Sequence, residues 1–264
     1  MTGAGFPNPL SNNEWPPDRR LVRRLARLGG RAVVRYRLIA DGDVIVTAVS
    51  GGKDSLVMTK FLADLRLRAP VKYRIGAVHL GPGGEGALRP WLEALNLDFI
   101  HWEAAPVVPE LADYRPGGPS PCFNCARLRR NRLFELCRQY GANRLALGHH
   151  LDDAAETFLM NALHSGRIDG LSPRQELFAG KLSIIRPLLL TPEGLIKALV
   201  DWWGLPVMKS GCPADGHTVR QEIKELVAAM AVRHPKIPGN LSAVVEAAAE
   251  MTLAPERPRY RKDF

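Results

Sequence analysis

The feature that most constrains this chain is a short apolar run that breaks at two glycines and then becomes helical. Residues 44–49 read VIVTAV, which is typical of a buried strand entered from the turn at residues 41–43. Residues 50–55 read SGGKDS, and apolar residues at helical spacing follow them. The sequence therefore predicts a strand, a glycine-rich turn and a helix in succession.

A glycine-rich turn between a strand and a helix is an arrangement that binds phosphate. Gly51 and Gly52 allow the backbone to approach an anion closely, and the helix offers free N–H groups and the positive end of its dipole. Ser50 and Ser55 add hydroxyl groups, and Lys53 adds a charge. The spacing matches neither the common P-loop nor the dinucleotide motif. A glycine turn without a ligand is the alternative interpretation.

Composition narrows the class of protein. The net charge of +9 favours a polyanionic partner, with nucleic acid first. We expect no membrane association and a cytoplasmic location, because the first twenty residues lack an apolar segment and no run of about 18 apolar residues occurs. Four cysteines in 264 residues do not resemble a secreted disulfide scaffold.

A basic segment precedes the first strand. Residues 19–37 contain eight arginines and no acidic residue, on a helical pattern that we expect Gly29 and Gly30 to break in two. Because the segment contains no acidic residue, we favour a helical face that binds RNA phosphates over an ordinary solvated helix. The arginines proposed for this role are Arg20, Arg23, Arg24 and Arg27.

Further strands are expected at residues 73–80, 99–102 and 145–147, and within 182–190, with helices between them. This alternation predicts an α/β fold with a doubly wound, mostly parallel sheet. Ligands of such sheets bind beyond the carboxyl ends of the strands. The Ser50 loop, His79 and residues 148–150 should therefore share one edge.

The cysteines leave three interpretations open. Cys122 and Cys125 have the spacing of paired metal ligands, and a helix is expected from about residue 126; Cys212 lies 87 residues further on. A zinc site would need a fourth ligand, for which His217 is the nearest candidate in sequence. A redox disulfide would leave Cys212 unexplained, and an iron–sulfur cluster with three cysteines would keep one iron open. Cys137 is about 18 Å along the helix from Cys125, so we expect it in the core.

Taken together, these motifs resemble the tRNA 2-thiocytidine synthetase family of pyrophosphate-loop enzymes. The resemblance extends from about residue 20 to residue 249. It rests on SGGKDS, on PCFNCARLRR at 121–130, on LGHHLDD at 147–153, on 166–173, on IRPL at 185–188, and on Cys212 followed by Arg220. The cysteine pair running into RLRR, together with the paired histidines and aspartates, is its most specific part.

The resemblance implies an adenine nucleotide alpha-hydrolase-like fold and ATP-dependent thiolation of tRNA. In that family, ATP adenylates the C2 oxygen of a cytidine in the anticodon loop, sulfur replaces it, and AMP and pyrophosphate are released. A 4Fe–4S cluster held by three cysteines would correspond to Cys122, Cys125 and Cys212. The implied partners are tRNA and a sulfur donor, either a cysteine desulfurase or free sulfide, and a homodimer is a further expectation.

The resemblance also assigns roles to residues. Asp54 and Asp152 would bind Mg²⁺, although aspartates at 152 and 153 also suit a helix N-terminus. Lys53, Arg129, Asp152 and Asp153 would be catalytic, and Arg127 and Arg130 would contact RNA. The residues expected to bind ATP are Ser50, Gly51, Gly52, Lys53, Asp54, Ser55, His79, Gly148 and His149. Residues 1–40 would form an arm and basic helix, residues 41–215 the catalytic domain, and residues 216–264 C-terminal helices and a basic tail.

The chain departs from the family pattern at three places, one of which is residues 214–217. His79 is followed by Leu80, Gly81 and Pro82, where the family has an acidic residue, and Lys209 stands where a further cysteine is common. Other interpretations are a lysidine-forming ligase, a sulfurtransferase acting on uridine or a small molecule, and an RNA-binding protein with structural zinc. The cysteine triad argues against the first of these.

Overall fold

The structure, a computed structural model, describes residues 19–81, 83–103, 121–208 and 219–253, and for residues 121–126 it describes the backbone only. These residues form eight helices and six strands. In chain order they are α1 Arg19–Arg35, β1 Val44–Ala48, α2 Lys53–Arg66, β2 Arg74–Leu80, α3 Gly84–Ala94, β3 Asp98–Trp102, α4 Pro121–Tyr140, β4 Arg144–Ala146, α5 Leu151–Ser165, β5 Arg174–Leu177, β6 Leu182–Ile185, α6 Glu193–Trp203, α7 Val219–Arg233 and α8 Ile237–Leu253.

The six strands form one sheet in the order β3-β2-β1-β4-β6-β5. The strands from β3 to β6 pair in parallel, and β5 alone runs antiparallel at the edge, against β6. In the register of the central strand β1, Val46 lies opposite Gly76 on one side and Leu145 on the other. The prediction of a doubly wound, mostly parallel sheet is confirmed.

Alternate residues of β1 enter two different cores, as its continuous apolar sequence requires of a strand covered on both faces. Ile45 belongs to the larger core, which residues of α1, α2, α3, α5, α6 and α8 complete. Val46 lies in the smaller core on the opposite face, which α4 covers with Leu136 and Cys137. Cys137 is fully buried and burial raises its pKa to about 12, so the prediction that it is a core residue is confirmed.

The chain reverses direction across the sheet between β1 and β4. From β1 the chain builds β2 and β3 outward on one side, and it then returns to place β4 on the other side. The loops after β1 and β4 therefore diverge at a topological switch point, which is where open α/β sheets bind their ligands. Residues 49–52 and 147–150 occupy this position.

The basic segment is one continuous helix, so the predicted break at Gly29 and Gly30 is wrong. The reason is a close helix contact: a Cβ atom on Gly29 would lie 2.6 Å from the Phe61 ring of α2. Gly29 is therefore accommodated in the helix because it allows α1 to approach α2, while Gly30 has open space beside it.

Acidic partners for two of the eight arginines come from α8. Arg31 and Arg35 form ion pairs with Glu246, and Arg35 also pairs with Glu250. Although the segment itself contains no acidic residue, part of its positive charge is therefore neutralised by α8. Arg23, Arg24 and Arg27 are exposed and form no ion pair with any residue in the described parts of the chain.

Two other boundaries differ from the sequence prediction. Helix α4 begins at Pro121 rather than near residue 126, so the backbone of Cys122 and Cys125 belongs to the helix. Strand β5 has no counterpart among the predicted elements, because this short, half-exposed edge strand alternates over too few residues to be recognised.

None of the helices in the described ranges is long and apolar enough to cross a membrane.

Candidate active site

The SGGKDS loop has the geometry of an anion cradle. Gly51 adopts a φ of 81°, in the left-handed region that favours glycine. Gly52 is the N-cap of α2 and no side chain caps the helix there. The first-turn N–H groups of α2 therefore face the loop without a side-chain acceptor, as phosphate binding at a helix N-terminus requires.

The two serines of the loop hold its shape. The Ser55 hydroxyl donates to the carbonyl of Gly52 at 2.8 Å and accepts the Ser50 N–H at 3.1 Å. The Ser50 hydroxyl oxygen accepts the Gly52 N–H at 3.2 Å. These bonds tie the end of β1 to the first turn of α2, so the loop's own hydrogen bonds define its shape.

Close contacts around the phosphate loop explain Gly51 in the loop itself and Gly148 in the loop after β4. A Cβ atom on Gly51 would lie 2.8 Å from the Met208 sulfur, and the Met208 N–H donates to the Gly51 carbonyl at 2.9 Å. A Cβ atom on Gly148 would lie 2.9 Å from the backbone of Asp54 and of Ser55. The loop after β4 is thus packed directly against the phosphate loop, and the residues present fit a phosphate group.

Lys53 is held by two carboxylates. Its ammonium lies 2.8 Å from Asp54 and 3.1 Å from Glu193, the first residue of α6. Burial lowers the pKa of Lys53, but the hydrogen bonds and charges of Asp54 and Glu193 outweigh it and raise the pKa above its usual value. Lys53 is therefore a fixed cation beside the cradle.

The two adjacent aspartates, Asp152 and Asp153, form hydrogen bonds that cap helix N-termini at this edge of the sheet. Asp153 accepts the His150 N–H at 3.0 Å and donates its own N–H to the His150 ring, which forms a capping box on α5. Asp152 accepts the Glu193 N–H at 2.7 Å and so caps α6. The helix-terminus interpretation of both aspartates is confirmed, and their catalytic and Mg²⁺ roles stay predictions.

His150 connects the aspartates to the phosphate loop. Its ring is buried, with Nε2 3.5 Å from Asp54 and Nδ1 3.6 Å from Asp152. The two carboxylates expected to bind Mg²⁺ therefore flank the same imidazole. In the described part of the chain, no group of three or more His, Cys, Asp or Glu residues is arranged to hold a metal ion.

His149 points to a different partner. The Arg186 Nε atom donates to His149 Nδ1 at 3.2 Å. Burial first, and then the charge of Arg186, lowers the pKa of His149 to about 4. His149 is consequently neutral at physiological pH.

His79 holds the backbone directly before the phosphate loop through a hydrogen bond. Its buried Nδ1 donates to the carbonyl of Val49 at 2.7 Å, directly before Ser50. A Cβ atom on Gly84 would lie 2.2 Å from the His79 ring, which explains the glycine at the start of α3. A direct contact of His79 with ATP stays a prediction.

A second cluster of charged side chains lies where Arg220 of α7 meets α5, about one turn after Asp153. Arg220 of α7 donates to Thr157 at 3.1 Å and lies 3.8 Å from both Asp153 and Glu156. Burial, followed by the charge of Asp153, raises the pKa of Glu156 to about 7. The sequence marked Arg220 only through its position after Cys212.

The predicted cluster ligands lie mostly beyond what the structure describes. The backbone of Cys122 and Cys125 lies three residues apart on α4, a spacing that places both on one side of the helix. Their side chains and the whole of Cys212 fall outside the described residues. Arg127, Arg129 and Arg130 follow on the same helix and are exposed.

Three residues that shape the site have no role that the sequence patterns predict. Met208 covers Gly51, Glu193 holds Lys53, and Arg186 binds His149. Arg186 lies within the IRPL segment, so a signal existed for it without a role. Met208 and Glu193 reach the loop only through the packing of distant segments, which no local pattern predicts.

Comparison with known proteins agrees with this geometry. A family model described as a PP-loop domain matches residues 121–229. The tRNA-cytidine(32) 2-sulfurtransferase of Syntrophotalea carbinolica is 37% identical over 230 residues, which cover 84% of this chain and 88% of that protein. The enzyme of the same name from Pseudomonas putida GB-1 is 35% identical, over 82% of this chain and 80% of its own length.

Among solved structures, the U34-tRNA thiolase NcsA from Methanococcus maripaludis, determined with its [4Fe-4S] cluster, superposes with a TM-score of 0.69. That match covers 87% of this chain and 79% of NcsA at 21% identity, so it bears on the fold alone. It confirms the predicted pyrophosphate-loop architecture. With identities above one third over more than four fifths of its length, the chain belongs to the tRNA-cytidine(32) 2-sulfurtransferase family.

Proposed function

We propose that the protein uses ATP to replace the C2 oxygen of cytidine 32 in tRNA with sulfur. The relatives' printed name, tRNA-cytidine(32) 2-sulfurtransferase, supports the substrate, the position and the sulfur transfer. The observation that carries this proposal is the contact between two loops at the switch point. Gly148 abuts the backbone of Asp54 and Ser55, so the paired histidines and aspartates flank the phosphate loop. Phosphate-binding and proton-holding groups thereby meet at one edge of the sheet.

In this proposal the triphosphate of ATP lies against the N-terminus of α2. The turn at Gly51 and Gly52 and the uncapped first helical turn supply N–H donors to its oxygens. Lys53, oriented by Asp54 and Glu193, would offset the charge that develops on the departing pyrophosphate. Asp54 and Asp152 would hold Mg²⁺, which screens phosphate charge when it is bound.

The chemistry requires activation, because the C2 oxygen of cytidine is a poor leaving group. Attack of this oxygen on the α-phosphorus forms a new P–O bond while the bond to pyrophosphate breaks. AMP then departs from C2 as sulfur bonds to that carbon. Arg129, in the turn after Cys125, would offset negative charge on the reacting oxygen, and Asp152 and Asp153 would complete the catalytic group.

The sulfur chemistry depends on the three cysteines. Cys122, Cys125 and Cys212 would hold a 4Fe–4S cluster, which when bound supplies an open iron for sulfide. The thiolate donor set supports this cluster, and so does the shared helical side of the first two ligands. NcsA, which has the same fold, carries a cluster of this type.

The tRNA would lie on two arginine-rich helices. Arg20, Arg23, Arg24 and Arg27 of α1 are exposed, as are Arg127 and Arg130 of α4. We propose that residues 41–215 form the catalytic domain, which also presents Arg127 and Arg130 to RNA, with residues 1–40 as an arm and basic helix and residues 216–264 as C-terminal helices and a basic tail. A cytoplasmic location, a cysteine desulfurase or free sulfide as donor, and a homodimer complete the proposal.

Anaerobic purification followed by iron, sulfide and AMP analysis tests this function. We expect roughly four irons per chain and AMP release that depends on tRNA. Substituting alanine for Cys122, Cys125 or Cys212 should abolish the iron. Cys137→Ala is the matched control, because that thiol is buried in the smaller core, and it should retain the iron. One zinc and no iron per chain would contradict the proposed sulfur chemistry.

A further inference from the structure

Arg186 determines which nitrogen of His149 carries a proton. The guanidinium has only donors, so the His149 Nδ1 atom, 3.2 Å from Arg186 Nε, must accept. Nδ1 therefore carries no hydrogen. A neutral imidazole bears one N–H, and in His149 that N–H must be on Nε2.

The arginine that imposes this state is itself fixed. Arg186 is only 6% exposed, and its Nη1 donates to the Ser172 carbonyl at 2.5 Å. Its backbone N–H donates to Pro173 at 3.0 Å. Burial lowers the pKa of Arg186 to about 10, which leaves it charged at neutral pH. No carboxylate in the described ranges pairs with it, so its hydrogen bond to His149 is one of few contacts that stabilise the buried charge.

The surroundings of His149 reinforce its neutral form. Arg186 from the segment after β6 and Arg220 from α7 face the ring, together with His150 and Asp153 of α5. Two arginines against one aspartate disfavour an imidazolium. His149 as a residue keeps some solvent exposure, and no residue in the described ranges hydrogen-bonds its Nε2 atom. Its N–H is therefore available to a ligand.

We propose that Arg186 is a positioning residue that holds His149 as the Nε2–H tautomer, so that His149 donates a hydrogen bond to an anionic oxygen of the bound substrate. His149 then acts neither as a general base nor as a general acid. Its position directly after Gly148, which touches the phosphate loop, makes a phosphoryl oxygen the fitting acceptor. The identity of that oxygen rests on the proposed function, whereas the tautomer does not.

Nitrogen NMR tests the tautomer without turnover. Long-range proton–nitrogen correlation on protein labelled at histidine, with His149 assigned by its loss in His149→Gln, should give the Nε2–H form at pH 7. In Arg186→Met, the ring should become a tautomer mixture and titrate nearer its ordinary pKa of about 6.5. Arg174→Met, on the same hairpin but half-exposed, should leave the His149 signals unchanged.

Kinetics test the role as a donor. Glutamine places an amide N–H close to the position of Nε2, whereas phenylalanine fills the space without a donor. Loss of a hydrogen bond to a charged group predicts AMP formation about 10- to 100-fold slower in His149→Phe, with His149→Gln retaining most of the rate. The ratio of the Arg186→Met rate to the wild-type rate should change between pH 5 and 8, because His149 titrates in that range only in the variant.

Three results would overturn the proposal. They are an Nδ1–H or protonated His149 in the wild type at pH 7, signals unchanged in Arg186→Met, and a His149→Gln variant as slow as His149→Phe. The NMR result holds even if no AMP is formed from ATP and tRNA, so failure of the proposed function would remain distinguishable.

Discussion

The Glu193 carboxylate lies 3.1 Å from the ammonium of Lys53, although the two residues are 140 positions apart in sequence. Glu193 also binds Lys197 and Lys224, so one carboxylate joins α2, α6 and α7 beneath the phosphate loop. Burial raises the pKa of Glu193, but these lysines outweigh it and lower the pKa to about 2. The orientation of Lys53 thus depends on α6, a helix that lies far from the phosphate loop in sequence.

Glu193→Gln should therefore destabilise the protein at neutral pH. Since the folded-state pKa lies below the ordinary value, the ionised carboxylate contributes stability above about pH 4.5, and this contribution is lost as the pH falls toward 2. We expect the free energy of unfolding at pH 7 to decrease by about 2 kcal/mol, and the difference from wild type to shrink by pH 3. Urea unfolding at a series of pH values measures it.

Glu176→Gln is the matched control for this prediction, because Glu176 pairs with Arg174 at the surface. An exposed ion pair contributes little, so its removal should change stability by less than about 0.5 kcal/mol. An equal effect of the two substitutions at pH 7 would contradict the role given to Glu193.

Gly148→Ala should impair catalysis by displacing the phosphate loop. The new Cβ atom would lie 2.9 Å from backbone atoms of Asp54 and Ser55, which cannot move without shifting the first turn of α2. A displacement of this kind predicts AMP formation at least about 100-fold slower. Gly86→Ala, in α3 with open space beside it, should retain the wild-type rate. Equal rates in the two variants would show that the two loops tolerate separation.

Gly29→Ala and Gly30→Ala should have opposite effects on stability. A methyl group at Gly29 meets the buried Phe61 ring, so the overpacked variant should lose about 1–3 kcal/mol. At Gly30 nothing lies within 4 Å, and alanine in a helix interior should add about 0.5–1 kcal/mol. Urea midpoints of the two proteins check this pair. A stabilised Gly29→Ala would mean that α1 does not pack closely on α2.

Substituting glutamine for Arg23, Arg24 and Arg27 together should weaken tRNA binding without unfolding the protein. These side chains are exposed and pair with no described acidic residue, so the substitutions should remove charge that neutralises RNA phosphates. The slope of log affinity against log salt should become shallower by about one for each phosphate that is no longer neutralised. Filter binding at several salt concentrations measures the slope.

The comparison for this triple variant is Arg31→Gln with Arg35→Gln. Those arginines pair with Glu246 and Glu250 of α8, so their substitution should lower stability by about 1 kcal/mol and leave the salt slope nearly unchanged. A salt slope altered equally by the two sets would contradict the proposal that, within α1, only the first turns contact RNA.

The residues that sequence reasoning placed correctly are those whose role is local. Strand β1, the turn at Gly51 and Gly52, and the helix from Lys53 follow from the spacing of apolar residues and glycines within one segment. The position of Gly148 beside that loop followed from a rule about parallel sheets. Local patterning and topology together therefore located the site.

Residues whose role depends on a distant partner could not be predicted. Gly29 suggested a helix break because its partner, Phe61, lies on another helix. The arginines at 31 and 35 have no acidic neighbour in sequence, because their glutamates lie more than 200 residues away. Glu193 and Arg186 bear on the site only after α6 and β6 pack beside it. Such pairings arise from tertiary packing and leave no periodic signal.

Nucleoside analysis of tRNA determines whether the protein thiolates a cytidine. The cluster-loaded protein would be incubated with ATP, Mg²⁺, sulfide and tRNA that lacks thiolated nucleosides, and the tRNA would then be digested and analysed by mass spectrometry. We expect 2-thiocytidine at position 32, formed only with ATP and absent with Cys122→Ala. A thiolated uridine, or no thiolated nucleoside from protein that carries its cluster, would contradict it.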